Sequence, residues 1–555
     1  MEFDRSFVPF FGGGTYLING ATDNPPTITS PQTGSFGTVR SAINYLNANG
    51  VEGAFGGILP VKLLLSNGYI GETDTFLAPI TVLDYPRANP NRPVVLSVIP
   101  NRFDTIRVAS NKIARGKTNA SLIRLSGASY FEINGDNGTG FRGLTLLMPQ
   151  QMAGFSNRVV DLIGGNAPIA TSDSSNSNSS IRNCNIIGVS STFNDSTFAG
   201  IYMGGVNIVT SGTIGANLNA RYGRNSFNTF ENNFIGGVQY GIYMRGRTLK
   251  SEVDNGNVIS NNVIGGDIAP SSSSNTNYWG GLANAAGISV NGQSNLTITG
   301  NIIKNNIPSF GNNRGIEVTV WPVNGTSAAN TSIGNNITIE KNEIYRITSN
   351  VASSGAMGIV LNYGGTGITD STNLGANITV NNNRISGIRA QGTTLVSATA
   401  STFTNNVFGI LIDAPSVVMR NSGNTQLGVS LNYNSVNLGQ SNTLSGTNVL
   451  SAALGISQNI RGGISARNNI FQNKLGVASG TGNDVFGVAV GGTVNPFNNG
   501  STVAPFSDID YNNYYASNPS AGATVAHFAS SVQITPNGPI LYNTWDRILG
   551  FTLGD

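Results

Sequence analysis

The sequence predicts an all-β chain wound as a right-handed parallel β-helix, with an N-terminal cap that contains one short helix. Two phrases that recur in step, together with a composition poor in charge, predict it. The first phrase is Asn, one to three alternating apolar residues, then Gly. It reads Asn185-Ile186-Ile187-Gly188, Asn233-Phe234-Ile235-Gly236 and Asn262-Val263-Ile264-Gly265, with weaker copies from Asn301, Asn342, Asn383, Asn434 and Asn469. Successive copies start 29 to 51 residues apart. The second phrase is Gly-Ile-x-apolar, at Gly200, Gly241, Gly287, Gly315, Gly358 and Gly409, with degraded copies at Gly455 and Gly487. A persistent repeat of this kind fixes architecture before any single motif does.

Each phrase alternates apolar and polar residues over four or five positions, the period of a half-buried strand. Between them lie Asn-Leu-Thr-Ile-Thr (295–299), Asn-Ile-Thr-Ile-Glu (336–340) and Asn-Ile-Thr-Val-Asn (377–381), which read as a third strand. Gly and Asn tolerate the left-handed backbone of a tight corner. An Asn recurring at one corner can bond the turn and the next amide as well, forming a ladder. A minimal coil needs roughly 22–25 residues, so the surplus is loop, as at 171–180, 271–277 and 390–402, which are rich in Ser, Asn and Thr.

One stretch has helical rather than strand periodicity. From Thr38 to Asn49, residues Val39, Ala42, Ile43 and Leu46 share a helical face and Gly50 follows as a C-cap. A first coil is an open edge that needs covering, so this helix is assigned to the cap. The expected division is cap and first coils over 1–110, then coils with inserted loops over 111–555 as one continuous domain.

Only 10% of the 555 residues are charged and the net charge is +3, with no run of Lys and Arg. That argues against nucleic-acid binding, which needs a concentrated basic patch. No apolar run is long enough to span a membrane. The single cysteine, Cys184, fills space in a strand, and one histidine, His527, excludes sites built on several histidines.

The entry segments Gly14-Thr15-Tyr16-Leu17-Ile18-Asn19-Gly20, 39–53 and 128–135, with the closing segments 510–515 and 545–550, resemble large parallel β-helix proteins exported by Bacteroidota. The resemblance implies a secreted or cell-surface protein carried by the type IX system through a separate C-terminal domain. That domain is not visible, and no signal peptide precedes Met1-Glu2-Phe3. The expectation is therefore a piece of a larger surface protein, its partners being other domains or chains and a surface glycan or polysaccharide. The resemblance also implies O-glycans at Asp-Ser/Thr sites, here Thr105, Ser196 and Ser371.

The sequence carries little recognisable chemistry. If the Ile and Val of Gly-Ile-x-Val point inward, the outward rows read Tyr202, Tyr243, Ser289, Glu317, Val360, Leu411 and Gly204, Arg245, Asn291, Thr319, Asn362, Asp413. Neither row holds the paired carboxylates of a glycoside hydrolase or an acidic cluster for Ca²⁺. No catalytic residue and no resident cofactor is assigned. Acidic pairs elsewhere are Glu252/Asp254, Glu340/Glu343 and Asp508/Asp510, the last being the best candidate to hold Ca²⁺. Outward Tyr202 and Tyr243, with Arg245 close by and Trp279 and Trp321 in loops, suit a sugar face; a loop folded over the tyrosines is the competing reading. The leading expectation is a non-enzymatic adhesin or stalk that binds glycan. The alternatives are a polysaccharide lyase or glycoside hydrolase working in a β-helix groove, and a structural subunit of a larger surface assembly.

Overall fold

A computed structural model describes residues 13–20, 23, 34–51, 60–72, 79–85, 90, 93–107, 121–148, 157–163, 176–188, 197–204, 225–246, 253–267, 277–281, 284–308, 311–320, 336–349, 354–363, 377–390, 406–414, 418–419, 428–439, 443–444, 450–457, 459–477, 484–490, 505–516, 528–529 and 541–542. The chain divides into two compact units, Met1–Val238 with Asp254–Asn262, and Gln239–Val253 with Val263–Asp555. Each is built from coils of three short strands, and each strand hydrogen-bonds in parallel to its counterpart in the next coil. We call the three sheets A, B and C, in the order the chain visits them. The coil is right-handed, the hand taken by parallel strands joined through a crossover.

In the first unit one coil runs Phe131–Asn134 (A), Leu144–Leu147 (B) and Arg158–Ile163 (C). The next runs Ser180–Arg182, Cys184–Ile187 and Thr197–Gly204, paired rung on rung with the first. The second unit repeats the plan, for example Ile337–Glu340, Glu343–Tyr345 and Ala356–Tyr363, followed by Ile378–Asn381, Arg384–Ser386 and Val407–Asp413. The spaced apolar residues fill the interior: Ile298, Ile339 and Val380 from A, Ile303, Ile344 and Ile385 from B, Ile316, Ile359 and Ile410 from C, all with no exposed surface.

The helix forms where its periodicity predicts, over Val39–Asn49, with Thr38 as N-cap, Gly50 as C-cap, and Val39, Ala42, Ile43 and Leu46 buried. The buried Glu72 carboxylate accepts from the first helical amides, Val39 N at 2.8 Å and Arg40 N at 3.3 Å. Burial nonetheless pushes its pKa up. Asn47 closes the edge of sheet C: its Nδ2 donates to Thr81 O at 2.7 Å and its Oδ1 accepts from Leu83 N at 2.9 Å. One side chain thus occupies a donor and an acceptor of an edge strand, which blocks further pairing there.

The corner between sheets A and B carries the predicted ladder. In the second unit Asn342 Oδ1 accepts from Asn301 N at 3.0 Å, and the same bond recurs from Asn342 to Asn383, Asn383 to Asn434, Asn434 to Asn469 and Asn469 to Asn512 at 2.9–3.1 Å. Each Nδ2 donates to a strand carbonyl of the preceding rung, such as Ile298 O for Asn342 and Ile339 O for Asn383. Asn301, Asn342, Asn383, Asn434 and Asn469 are buried and their polar atoms bonded, the condition under which a buried amide stabilises rather than costs.

Two expectations change. In the first unit the rung below Asn233 is Cys184, whose amide donates to Asn233 Oδ1 at 3.0 Å, while Asn185 aligns with Phe234 and faces outward. Asn185 is therefore one residue out of the ladder, because the chain there carries Cys at the corner. The glycines of the Gly-Ile-x-Val phrase also do not turn corners. A Cβ at Gly287, Gly315, Gly358 or Gly409 would sit 2.2–2.6 Å from the Cγ of Ile303, Ile344, Ile385 or Val436 across the interior. These glycines make room for the β-branched residue of sheet B.

The inserted loops fall almost wholly outside the described residues.

Candidate functional site

The register predicted for sheet C holds. In the second unit Tyr243, Ser289, Glu317, Val360 and Leu411 align, as do Arg245, Asn291, Thr319, Asn362 and Asp413. Their exposure does not match the expectation of an open sugar platform. Tyr202 retains 2% of its surface, Tyr243 4% and Leu411 1%. Tyr243 packs edge-on against Tyr240, ring centres 5.0 Å apart, and the Arg158 guanidinium lies 4.5 Å over the Tyr202 ring. Rings this enclosed have no face left for a sugar. Trp279 is also fully buried, its Nε1 donating to Lys304 O at 3.0 Å. Arg245 is partly exposed at its strand end. Trp321 lies outside the described residues.

Sequence reasoning also missed what shares the outward row with Tyr202. Asp161, fully buried, accepts from Ser121 Oγ at 3.0 Å, from Arg124 Nη2 at 2.9 Å and from Arg158 Nη1 at 3.2 Å. Burial holds the Arg158 pKa down, and Asp161 opposes that shift. Asp161 and Arg158 are fully enclosed, and only Arg124 keeps some exposed surface, so the cluster reads as a structural ion network.

The acidic pairs do not gather a cation. Arg467 stands on the rung beside Asp508 and Asp510, and its guanidinium pairs with Asp508, which also accepts from Ser465 Oγ at 3.1 Å. The cation Asp508 takes is thus an arginine, and the pair keeps Arg467 more firmly charged. Glu340 lies on sheet A and Glu343 on sheet B, on opposite sides of the corner. Asp254 is buried and accepts from Asn225 N at 2.8 Å, as a corner Asn would; Glu252 is outside the described residues. No cluster of three metal-binding side chains occurs among the described residues. Thr105 is exposed on a strand of sheet B, beside an Asp104 bound to Arg102 at 2.7 Å; Ser196 and Ser371 lie outside the described residues. Cys184 is fully buried, and burial pushes its thiol up to about 12, so it stays protonated and unreactive.

An open site lies instead on the outer face of sheet B in the second unit. A polar cleft of about 510 Å³ is lined by Glu343, Tyr345, Arg346, Arg384, Ser386, Gly387 and Asn437, among others. It exists because side-chain size changes from rung to rung. Tyr345 aligns with Ser386 and then Asn437, and Glu343 with Arg384 and then Ser435. Tyr345 stands beside the short Ser386, and Arg384 beside the short Ser435. Lys304, paired to Asp267, lies 6.0 Å from the Tyr345 ring centre. Arg384 touches Glu343 at only 3.5 Å with both side chains well exposed, a pair too loose to hold either in place. Arg346 is exposed and makes no ion pair among the described residues.

The same face continues over two further rungs with Ile470 and Gln472, then Asn513 and Tyr515. Ile470 is 48% exposed and Tyr515 41%, with Lys474 Nζ 5.2 Å over the tyrosine ring. Five rungs at about 4.8 Å each give a track about 19 Å long. It is furnished with arginine, amides, hydroxyls and aromatic rings, groups that bind sugar hydroxyls and sugar faces. Glu343 is the one carboxylate among the described residues lining the cleft, and glycoside hydrolysis needs two.

No protein-family model and no curated protein matches the chain. Among solved structures it is similar to the Dettilon tailspike protein, at 12% identity over 83% of this chain and 65% of that one, with a TM-score of 0.32. It is similar also to the A-module of Azotobacter vinelandii mannuronan C-5 epimerase AlgE4, at 12% identity over 76% and 86% of the two chains (TM-score 0.37). A third is PfbA, a surface adhesin of Streptococcus pneumoniae, at 11% over 80% and 88% (TM-score 0.33). The chain thus spans about two thirds of the tailspike's length, and the likeness to all three is one of fold.

Proposed function

We propose that the second unit is a polysaccharide-binding module of a secreted or cell-surface protein, of the adhesin kind that the entry and closing segments resemble. Its site is the outer face of sheet B from Glu343 to Tyr515. The observation that supports this is the coincidence, on one uncovered sheet face, of a polar cleft with Ile470 and Tyr515 exposed on the rungs beyond it. A large ring left in water gains nothing for the fold, whereas its flat face matches the apolar face of a pyranose. No helix among the described residues is long and apolar enough to cross a membrane. Glu343, without a second carboxylate among the described residues of the cleft, favours binding over hydrolysis.

Affinity electrophoresis of the full chain through gels cast with neutral and acidic polysaccharides tests the reading. At least one polysaccharide should retard the protein. Tyr345→Ala and Arg384→Ala should each weaken that retardation about tenfold while leaving the melting temperature within a few degrees. Variants that migrate like the wild type, or a wild type that no polysaccharide retards, would overturn it.

A further inference from the structure

The corner between sheets A and B forces one residue per rung into the left-handed backbone region, the residue just before each ladder Asn. Of the eighteen described non-glycine residues with positive φ, twelve are Asn. This is the residue whose short amide tolerates that conformation, whereas bulkier L-residues lose about 1–2 kcal/mol there. In the second unit the corner row reads Gly300 (φ 65°), Lys341 (55°), Asn382 (53°), Tyr433 (55°), Asn468 (56°) and Tyr511 (53°). The exceptions fall on every second rung. Tyr433 is 62% exposed and Tyr511 76%, so neither ring regains its backbone cost by packing. The Lys341 side chain is 62% exposed and meets Glu340 at 3.5 Å, a surface pair worth little to the fold. Arg346, a further exception at φ 56°, lines the cleft.

A residue that is costly in backbone and unrewarded in packing is retained for what its side chain meets outside the fold. We propose that Lys341, Tyr433 and Tyr511 form a second strip of the glycan site, and that its ligand is an extended, β-1,4-linked polysaccharide with a twofold repeat. The inference rests on the glycan reading of sheet B, whose rim this corner forms: Tyr433 lies two residues before Ser435, which lines the cleft. Two rungs span about 9.6 Å, close to the disaccharide repeat of such a chain. Every second sugar therefore meets Lys341, Tyr433 or Tyr511, and the sugar between meets the amide of Asn382 or Asn468. Rings separated by amides do not make the contiguous apolar patch that a protein partner takes.

The substitution Tyr→Asn separates binding from folding, because it restores the residue this backbone prefers. Calorimetric titration of the full chain with cellohexaose, mannohexauronate and laminarihexaose should show one of the two β-1,4-linked probes bound at least tenfold more tightly than the β-1,3-linked one. Tyr433→Asn/Tyr511→Asn should lose tenfold or more of that affinity and melt at the same or a higher temperature. Equal affinity for laminarihexaose overturns the twofold assignment. Undiminished affinity in the double variant, beside a weakened Arg384→Ala, removes the corner strip and leaves the cleft standing. A wild type that binds none of the probes and no polysaccharide gel removes both.

Discussion

Sheets B and C of the second unit are built from strands of the same alternation, and each turns tyrosines outward, yet their outer faces have opposite fates. Tyr243 on sheet C keeps 4% of its surface and packs on Tyr240, whereas Tyr515 on sheet B keeps 41% under a lysine. Alternation decides which side of a strand a residue is on. It says nothing about whether that side meets water. The covered row of sheet C runs Tyr243, Ser289, Glu317, Val360 and Leu411, with apolar side chains at both ends, whereas on sheet B Arg, Ser, Asn and Tyr follow one another unevenly enough to leave a cleft.

The contrast breaks first under charge. Leu411→Lys, placed in the covered row, should cost about 4 kcal/mol, the penalty of an uncompensated buried charge; denaturant midpoints read it, and a cost below about 1 kcal/mol would show that the face opens readily. Next, Tyr243→Ala should cost about 3 kcal/mol, as removal of a buried aromatic does. A near-neutral result there would mean that the ring is held without supporting its surroundings. The smallest effect belongs to the open face. Ile470→Ser should change stability by no more than about 0.5 kcal/mol, and a larger loss would show that this face is packed in solution.

Much of the fold was legible because it is written in periods. The outward rows of sheet C, the helix with Thr38 and Gly50 at its ends, and the Asn ladder follow from alternation, a 3.6-residue stripe and a recurring amide. The misreadings come from what lies off the strand. Asn185 looked like a ladder residue by spelling, but Cys184 holds that rung, because register is set by the neighbouring coil and not by the phrase. Alternation places Tyr202 and Tyr243 outward but cannot choose between an open sugar face and a covered one; their burial decides for the covered one. The cleft was hidden for a related reason. Tyr345, Ser386 and Asn437 lie 41 and 51 residues apart and become a surface only when stacked. The signal that could have found the corner strip was present in the sequence. It is the residue before each ladder Asn, usually Asn or Gly, becoming Tyr at 433 and 511.

The ladder has a consequence for how such a chain grows. Its rungs are 35 to 51 residues apart in the second unit, yet the bond from one to the next stays at 2.9–3.1 Å. Whatever is spliced between two rungs leaves no mark on their join. Loop closure adds only about 0.6 kcal/mol for each doubling of loop length. Each rung offers the next the same donor and the same acceptor, so a duplicated coil finds its docking partner already made. A lineage carrying this corner can lengthen, shorten or re-dress its surface by whole coils, while the residues that hold it together go on reading as one repeated word.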